Sequence, residues 1–378
     1  MFTVWALCAI GVEKVVSHEL KKLAMTVQES AFGRVRFCTD LYGLYYALYG
    51  LRAADRLLLE VGSFKAENFD DLFDGVRSIH WEQYIPRDMG VSITKVRTNR
   101  SILHAETSIQ AVTHKAIAEQ LCTKYRVPRL PDDDDRGAHV RIFIEKDTVF
   151  VLLDISGEPL FKRSYRVAGG IAPIRETTAA SILLLCGWKR KFSLYDPFCG
   201  SGTIAIEAAL YAWNAAPGLG RTFAIDTLNI HNPQYAQTVW NEFFQIIDFS
   251  RPIRIYGSDS LPQAVAYAQE NSARAYRILH GKDDPKVPVF SVCAMEHASA
   301  ADQEGFIVTN PPYGLRLGNR TTAEKNYTAM AILKDHFPAW KLCILSDHAG
   351  FESFFGMKAA ACHEITNGPL QLYCYIYH

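Results

Sequence analysis

Two short segments contain the residues that could carry out chemistry. One is residues 196–203 (DPFCGSGT), and the other is residues 310–314 (NPPYG). Each follows an apolar run that predicts a buried parallel strand. Ligands of an open α/β sheet lie beyond the carboxyl ends of its strands, so we expect both segments to face one crevice. The first suits a nucleotide-like cofactor and the second a planar base with an amino group. Together they predict methyl transfer to an exocyclic nitrogen.

The glycines of the first segment stand where a strand turns into a helix. Gly200 and Gly202 allow a ligand to approach the backbone, and the amides at the start of the next helix point outward. A Walker phosphate loop needs a lysine after the glycine, whereas Thr203 follows Gly202. A simple tight turn is the other alternative, but Asp259 ends the next predicted strand, where an acid can bind a ribose diol. Residues 213–250 then form an insertion.

The second segment is rich in hydrogen-bond acceptors. Pro311 and Pro312 have no amide hydrogen and stiffen the turn, which leaves the Asn310 side-chain oxygen and the Pro311 carbonyl. Two acceptors can hold both hydrogens of an exocyclic amine, and Tyr313 can stack on the base. A strong base is not required, because an already activated methyl group leaves catalysis mainly to positioning. A proline-rich turn without a ligand is the alternative.

The composition is typical of a soluble globular protein with two or three domains. The chain has 378 residues, of which 49% are hydrophobic and 21% are charged, and its formal net charge is zero. This neutrality argues against bulk electrostatic attachment to nucleic acid but allows local basic patches. We expect no signal peptide and no membrane span, and nine scattered cysteines favour reduced thiols in the cytoplasm. Four aspartates at 132–135 are interpreted as a solvated loop, so no metal is predicted.

The order of predicted elements divides the chain. In the N-terminal part, strands are predicted at 3–8, 31–38, 91–96, 140–144 and 149–153, and helices at 11–23, 41–51 and 108–125. From residue 173 onward strands alternate with helices, which predicts a parallel sheet. Its predicted strands are 192–196, 253–257, 287–292, 305–309 and 341–346. Asn367-Gly368 between two apolar runs predicts a terminal hairpin.

With these segments placed, the chain resembles the THUMP-domain class I methyltransferases of the bacterial large-subunit rRNA guanine-N2 type. The resemblance covers nearly the whole chain and is densest at 153–158, 162–166, 172–177, 196–209, 216–219 and 309–318. It implies an α/β fold, in which a Rossmann-like class I methyltransferase domain follows an N-terminal α+β THUMP/ferredoxin-like region. The implied domains are a ferredoxin-like part at 1–57, a THUMP RNA-binding domain at 58–157 and the methyltransferase domain at 158–378.

The resemblance also implies a methyl donor, S-adenosyl-L-methionine, and a target, the N2 amine of a guanine in structured RNA, with 23S rRNA as the first candidate. The implied contacts to the target base are Asn310, Pro311, Pro312 and Tyr313. The implied cofactor contacts are Pro173, Arg175, Glu176, Thr177, Asp196, Phe198, Gly200, Gly202, Thr203 and Asp259. The expected RNA contacts are Lys95, Arg97, Arg100, Lys162, Arg163 and Arg166.

Several alternatives remain open. Many relatives of this fold place an acid after the third strand to hold the cofactor's adenine, whereas only Glu296 could serve in the stretch 292–296 (VCAME). The RNA could be tRNA, because relatives modify both kinds. Two further alternatives are adenine-N6 methylation of DNA, which uses the same acceptor geometry, and a non-catalytic RNA-binding assembly factor.

Overall fold

Two seven-stranded sheets organise the protein. The computed structural model describes residues 1–132, 137–166, 174–280, 288–299, 302–312 and 320–378. Within these ranges no helix combines the length and the apolar character that a membrane span requires. One sheet is built by the N-terminal part of the chain and the other by the C-terminal part.

The N-terminal sheet is mostly antiparallel. Its strands are β1 (Phe2–Cys8), β2 (Thr26–Ala31), β3 (Arg34–Thr39), β4 (Ala54–Lys65), β5 (Val91–Asn99), β6 (Ala138–Glu145) and β7 (Thr148–Asp154). Their spatial order is β2-β3-β1-β4-β7-β6-β5, and only the β5–β6 pair is parallel among these pairings. Its helices are α1 (Glu13–Lys22), α2 (Leu41–Gly50), α3 (Phe69–Arg77) and α4 (Glu106–Tyr125).

Strand β4 crosses the boundary predicted at residue 57. It pairs with β1 on one side and with β7 on the other, and it runs without a break from Ala54 to Lys65. Residues 1–57 and 58–157 therefore contribute to one continuous sheet. The exact limits of the two domains stay a prediction.

Side chains alternate across this sheet and give it one helix-covered face and one open face. Val4 and Phe37 belong to the main core, together with helix residues such as Leu20. On the other face, Trp5 and Leu58 belong to a separate small cluster with Leu152. The open face is therefore apolar at its centre.

The C-terminal sheet has the doubly wound order β10-β9-β8-β11-β12-β14-β13. Its strands are β8 (Ser193–Asp196), β9 (Ile255–Asp259), β10 (Val289–Val292), β11 (Gly305–Thr309), β12 (Lys341–Ser346), β13 (Ala361–Asn367) and β14 (Leu370–Tyr377). Its helices are α5 (Glu176–Leu185), α6 (Thr203–Ala212), α7 (Pro233–Gln245), α8 (Pro262–His280), α9 (Arg320–Ala329), α10 (Ile332–His336) and α11 (Phe351–Phe355). Strands β8 to β12 are parallel, and β14 is antiparallel to both β12 and β13. The predicted parallel sheet with a terminal hairpin is present.

A buried ionic cluster joins the two halves of the molecule. The Arg163 side chain is only 2% exposed, pairs with Glu207 of α6 and donates to the carbonyl of Arg52, which lies between α2 and β4. Tyr165 donates to the same carboxylate (2.9 Å), and Arg52 donates to the Ala215 carbonyl (2.6 Å). The Glu207 carboxylate compensates the charge of Arg163, which burial would otherwise make costly.

The β13–β14 hairpin makes a second junction. The Ile10 amide donates to the Thr366 hydroxyl (2.9 Å), and the Thr366 amide donates to the Ile10 carbonyl (3.1 Å). Gly11 has a φ of +92°, and any side chain there would clash with the Glu364 carbonyl. The hairpin and the β1–α1 loop are therefore in direct contact.

We expect Arg163→Ala to destabilise the fold, because it leaves the Glu207 carboxylate buried without its counter-charge. The free energy of unfolding should fall by about 3–5 kcal/mol. Urea denaturation measures this change. The neighbouring Lys162→Ala is the matched control: its side chain is 60% exposed, and the loss should be within about 1 kcal/mol. Equal losses in the two variants would contradict a buried ionic junction.

Candidate active site

Three strand ends meet at one edge of the C-terminal sheet. The parallel strands β9, β8 and β11 are neighbours in that order. They end at Asp259, Asp196 and Thr309. The glycine turn, which contains Gly200 and Gly202, follows β8, and the acceptor turn, which begins at Asn310, follows β11. The two turns therefore leave the sheet side by side and border one crevice.

Different structural constraints apply to the two glycines of the turn. Both have positive φ values, +51° for Gly200 and +81° for Gly202. A Cβ at Gly202 would approach Ala268 of α8 to 2.9 Å and Phe290 of β10 to 3.0 Å, so this position is needed for packing. A Cβ at Gly200 would meet no described atom within 4 Å. The backbone at Gly200 is thus open to a ligand, in keeping with a cofactor loop.

Asp259 connects the end of β9 to this turn. One carboxylate oxygen accepts the Gly200 amide (3.1 Å), and the other accepts the Leu261 amide (3.0 Å). The side chain is half-buried, and each oxygen has lone pairs beyond the one in use. Asp259 therefore holds the turn and can still accept a diol.

Asp196 connects the two turns. Its carboxylate, 1% exposed, accepts the Thr309 hydroxyl (2.6 Å) and the amide of the half-buried Phe198 (3.1 Å). Burial raises the pKa of Asp196 to about 7, and the nearby charge of Asp259 also raises it, although the two hydrogen bonds act in the opposite direction. The ends of β8 and β11 are therefore tied together directly below the turns.

The acceptor turn offers an unused oxygen. Asn310 Oδ1 is buried and has no hydrogen-bond partner among the residues that the structure describes. An unsatisfied buried acceptor is costly and is commonly explained by a ligand that donates to it. Pro311 is buried and Pro312 half-buried, while Tyr313 lies outside the described residues. The oxygen predicted to accept an amine hydrogen is therefore available.

Arg175, directly before α5, and Thr177, in its first turn, contact the N-terminal sheet. Thr177 donates to Asp55 of β4 (2.5 Å), and Arg175 pairs with the same carboxylate (3.3 Å). Arg175 also lies over the ring of Phe161, 4.6 Å from its centroid. No sequence motif predicted a role for Asp55, because it lies 120 residues from its partner Arg175. Pro173, also predicted here, lies outside the described residues.

Glu176 reaches the glycine turn through a second side chain. Arg166 pairs with Glu176 (3.1 Å) and donates to the hydroxyl of Thr203, the first residue of α6 (3.0 Å). Burial raises the pKa of Glu176 to about 7, against the lowering effect of Arg166. Glu176 and Thr203 are thus linked beside the crevice, and their contact with a cofactor stays a prediction.

The three N-terminal cations predicted to bind RNA lie together. Lys95 and Arg97 are exposed on β5, the edge strand of the sheet, and the exposed Arg100 follows this strand. None of the three forms an ion pair with an acid of the described residues. Their charges are therefore available to phosphates.

The other three predicted cations differ from one another. Lys162 is exposed, although it pairs with Glu158. Arg166 is 20% exposed, and its pairing with Glu176 leaves less of its charge available. The predicted RNA contact of Arg163 is wrong, because its buried guanidinium is held by Glu207 and cannot reach a phosphate on the surface. Lys162 and Arg166 line a cavity of about 870 Å³ that also includes Arg221 and Arg274.

A groove of about 680 Å³ separates the open face of the N-terminal sheet from the C-terminal domain, and we call it the sheet groove. Its cations are Arg34, Arg56, Lys95, Arg97, Arg141 and Arg175, and its aromatic residues are Trp5, Phe32, Phe143 and Phe161. Arg34 pairs with Glu145 (3.0 Å) and Arg56 with Asp154 (2.6 Å). Most cations at the centre are therefore neutralised, and the free positive charge lies towards β5.

The adenine contact considered for Glu296 and the aspartate run at 132–135 are the two remaining sequence interpretations. Glu296 is exposed in the turn Met295–His297 after β10, and its contact with the cofactor's adenine stays open. Within the described ranges, no three side chains of the metal-ligating types converge on one point. Most of the aspartate run lies outside these ranges, since residues 133–136 are not described.

Family comparisons match both halves of the chain. Residues 163–376 match the RMKL-like methyltransferase domain of the UPF0020 family. Residues 3–58 match the RlmL ferredoxin-like domain. The first match covers the crevice with both of its turns, and the second covers β1 to the beginning of β4.

Individual relatives agree with these matches. YpsC of Bacillus subtilis (strain 168), provisionally named an RNA methyltransferase, is 33% identical over 100% of this chain and 96% of its own length. The ribosomal RNA large subunit methyltransferase K/L of a Marinomonas species (strain MWYL1) is 30% identical over 97% of this chain, which spans only 51% of that relative. The crystal structure of SMU.472, complexed with SAH, superposes with a TM-score of 0.89 at 32% identity and covers 100% of this chain and 98% of its own.

We expect Asp259→Asn to weaken binding of S-adenosylmethionine and S-adenosylhomocysteine. A charged acceptor for the ribose diol would be lost, so the dissociation constant should rise about 10- to 100-fold. Calorimetric titration with S-adenosylhomocysteine measures this. Asp248→Asn, in the loop between α7 and β9, is the control and should bind as the parent does. Unchanged affinity in Asp259→Asn would remove Asp259 from the binding site.

Proposed function

The chain belongs to the RMKL-like methyltransferase family, which uses S-adenosylmethionine, and from this premise we propose that it methylates the N2 amine of a guanine in structured RNA. The first candidate substrate is 23S rRNA. The observation that carries the proposal is the buried Asn310 oxygen, which has no hydrogen-bond partner among the described residues.

The residues at the crevice fit the methyl donor. The open backbone at Gly200 can lie against it, and Asp259 can accept its ribose hydroxyls. When bound there, S-adenosylmethionine supplies a methyl group already activated by a positive sulfonium. The protein is then required mainly to orient the two reactants and exclude water.

The acceptor turn suits an amine that must act as a nucleophile. Asn310 Oδ1 accepts one hydrogen of the amine, and the Pro311 carbonyl accepts the other. With both hydrogens held in this way, the nitrogen lone pair points towards the crevice. Pro311 and Pro312 have no amide hydrogen, so neither can offer a donor that competes with the amine. The Asp196–Thr309 bond keeps this acceptor in register with the glycine turn.

The N-terminal sheet supplies affinity for RNA. Lys95, Arg97 and Arg100 carry free positive charge at the β5 edge, and the sheet groove extends from there towards Arg175. Phosphate contacts of this kind position an RNA without reading its sequence. They can also offset the few kcal/mol needed to take a target base out of its stack. This region corresponds to the proposed THUMP domain.

The choice of substrate follows from two considerations. The Marinomonas relative is named for large-subunit ribosomal RNA, which favours 23S rRNA over tRNA for this chain as well. Because the chain spans half of that relative, we propose only the one methylation reaction. Adenine-N6 methylation of DNA would use the same acceptor turn, so the product must decide between the two bases.

The product can be identified directly. The protein is incubated with tritiated S-adenosylmethionine and total RNA from a strain in which its gene is deleted. Digestion and mass spectrometry should then give N2-methylguanosine, located at one position of 23S rRNA. Duplex DNA is tested in parallel. Methylated adenine in DNA, or the absence of any labelled product, would contradict the proposal.

We expect Asn310→Ala to lower turnover by two or more orders of magnitude while leaving affinity for S-adenosylhomocysteine within about twofold of the parent. The reason is that Asn310 holds the reacting amine and not the cofactor, so its loss is felt in the transition state. Turnover is measured with labelled cofactor under saturating conditions. Asn241→Ala, on α7, is the control and should keep parental turnover. Near-parental activity of Asn310→Ala would show that the segment is only a turn.

The double variant Lys95→Ala/Arg97→Ala should bind RNA about tenfold more weakly. It should also reduce the slope of log affinity against log salt by about one to two units, since up to two phosphate contacts are lost. Filter binding at several salt concentrations measures both quantities. The control is Lys21→Ala/Lys22→Ala, which removes the same charge from exposed positions on α1, a helix of the covered face. The same loss in both variants would indicate a general charge effect.

A further inference from the structure

Asp347 occupies a position after β12 like that of Asn310 after β11. The two strands are parallel neighbours, with Thr309 opposite Ile344, and β12 ends at Ser346. Asn310 and Asp347 are therefore the first residues beyond two adjacent strand ends, at the same edge of the sheet. Along the strand direction they are offset by two residues, or about 7 Å. With the ~4.8 Å between neighbouring strands, the two backbone positions are roughly 8 Å apart, a distance that the two side chains and the edge of one planar base can span together.

The Asp347 carboxylate is available as an acceptor. The residue is exposed, and its Oδ1 accepts a hydrogen bond from the hydroxyl of Tyr327 (3.3 Å), a fully buried residue of α9. No Lys, Arg or His of the described ranges forms an ion pair with it. The second carboxylate oxygen, Oδ2, accepts no hydrogen bond from the residues described here. A carboxylate with one oxygen held by Tyr327 and the other open to a donor therefore lies at the sheet edge that carries Asn310.

The backbone on either side of Asp347 is held firmly. The His348 amide donates to the Ser346 hydroxyl (3.1 Å), and the Gly350 amide donates to His348 Nδ1 (2.9 Å). Tyr375 of β14 donates to the carbonyls of His348 (3.0 Å) and Ala349 (2.9 Å). An acceptor that is positioned before the ligand arrives needs little reordering when the ligand binds.

Guanine and adenine differ at the atom next to the amine. In guanine, N1 carries a hydrogen and donates, so that N1–H and the N2 amine form a continuous row of donors. In adenine, N1 is an acceptor, and the row is broken. A carboxylate beside the amine-binding oxygen of Asn310 attracts the first pattern, and its negative charge repels the N1 lone pair of the second.

We propose that Asp347 accepts the N1–H of the target guanine and thereby selects guanine over bases that lack this hydrogen. The inference rests on the proposed N2-methylation of guanine and adds the residue that determines the base. In this arrangement, Asn310 orients the amine and Asp347 reads the adjacent ring nitrogen. Enzymes that take a base out of its stack commonly identify it through hydrogen bonds to this edge.

The test uses 2-aminopurine, which keeps the amine at C2 but has an acceptor at N1. The methylation site of the parent protein is first mapped by mass spectrometry. The same RNA is then assembled by ligation with either guanine or 2-aminopurine at that position. Initial rates are measured at low RNA concentration for the full-length parent, for Asp347→Asn and for Asp335→Asn. Asp335 is an exposed carboxylate of α10, the helix that precedes β12, and serves as the control.

The parent and Asp335→Asn should prefer guanine over 2-aminopurine by at least about tenfold. In Asp347→Asn, the rate on guanine should fall about 10- to 100-fold, and the preference should shrink to within about threefold, because the amide can donate to the N1 acceptor. Its affinity for S-adenosylhomocysteine should equal that of the parent, which shows that the fold and the cofactor site are intact.

Two results would overturn the inference for different reasons. Parental preference for guanine in Asp347→Asn would show that another group reads N1, while N2-methylation itself stands. A parent protein that methylates adenine, or no base at all, would remove the proposed function and the inference with it. The product of the parent thus separates the two failures.

Discussion

The hydrogen bond from the Thr309 hydroxyl to the Asp196 carboxylate determines the geometry of the crevice. It lies where water is excluded, so neither group could leave it without leaving a buried polar atom unpaired. Because the bond joins the ends of β8 and β11, the spacing of two sheet strands is transmitted to the turns above them. The Asp259–Gly200 bond does the same between β9 and β8. The relative position of the glycine turn and the acceptor turn is therefore a property of strand register.

The second constraint is the junction between the two sheets. The Arg163–Glu207 cluster is buried at its centre, and the terminal hairpin contacts the β1–α1 loop at another point. Two separate junctions resist rotation better than one. The exposed cations at the β5 edge are consequently held at a fixed distance from the crevice. For the proposed RNA substrate, this means that a phosphate backbone and an accessible base must lie at a matching distance, which is a requirement of shape as well as of charge.

Features that depend on neighbouring residues were predicted from the sequence better than contacts between residues far apart in the chain. The bounds of β11 and β12 match the predicted 305–309 and 341–346, because both are apolar runs buried on two sides. Strand β2 was missed, since TVQESA is polar and largely exposed. Asn310 and Gly200 were predicted from short motifs, and Asp259 from its place at the end of the next strand; the structure brings the ends of their strands to one edge of the sheet, while their contacts with ligands stay predictions. Arg163 was misread as a surface cation, because its partner Glu207 lies 44 residues away and a charged residue is exposed by default. Asp55 and Asp347 belong to no local pattern.

The continuity of β4 across residue 57 has a consequence for how this protein folds. The strand receives hydrogen bonds from β1 on one side and from β7 on the other, with Leu58 opposite Asp154. A chain divided there would leave two open sheet edges, each prone to pair with other molecules. The strands from β1 to β7 therefore depend on one another through a single sheet, and its central strand β4 gains its second neighbour only after β7 has been synthesised.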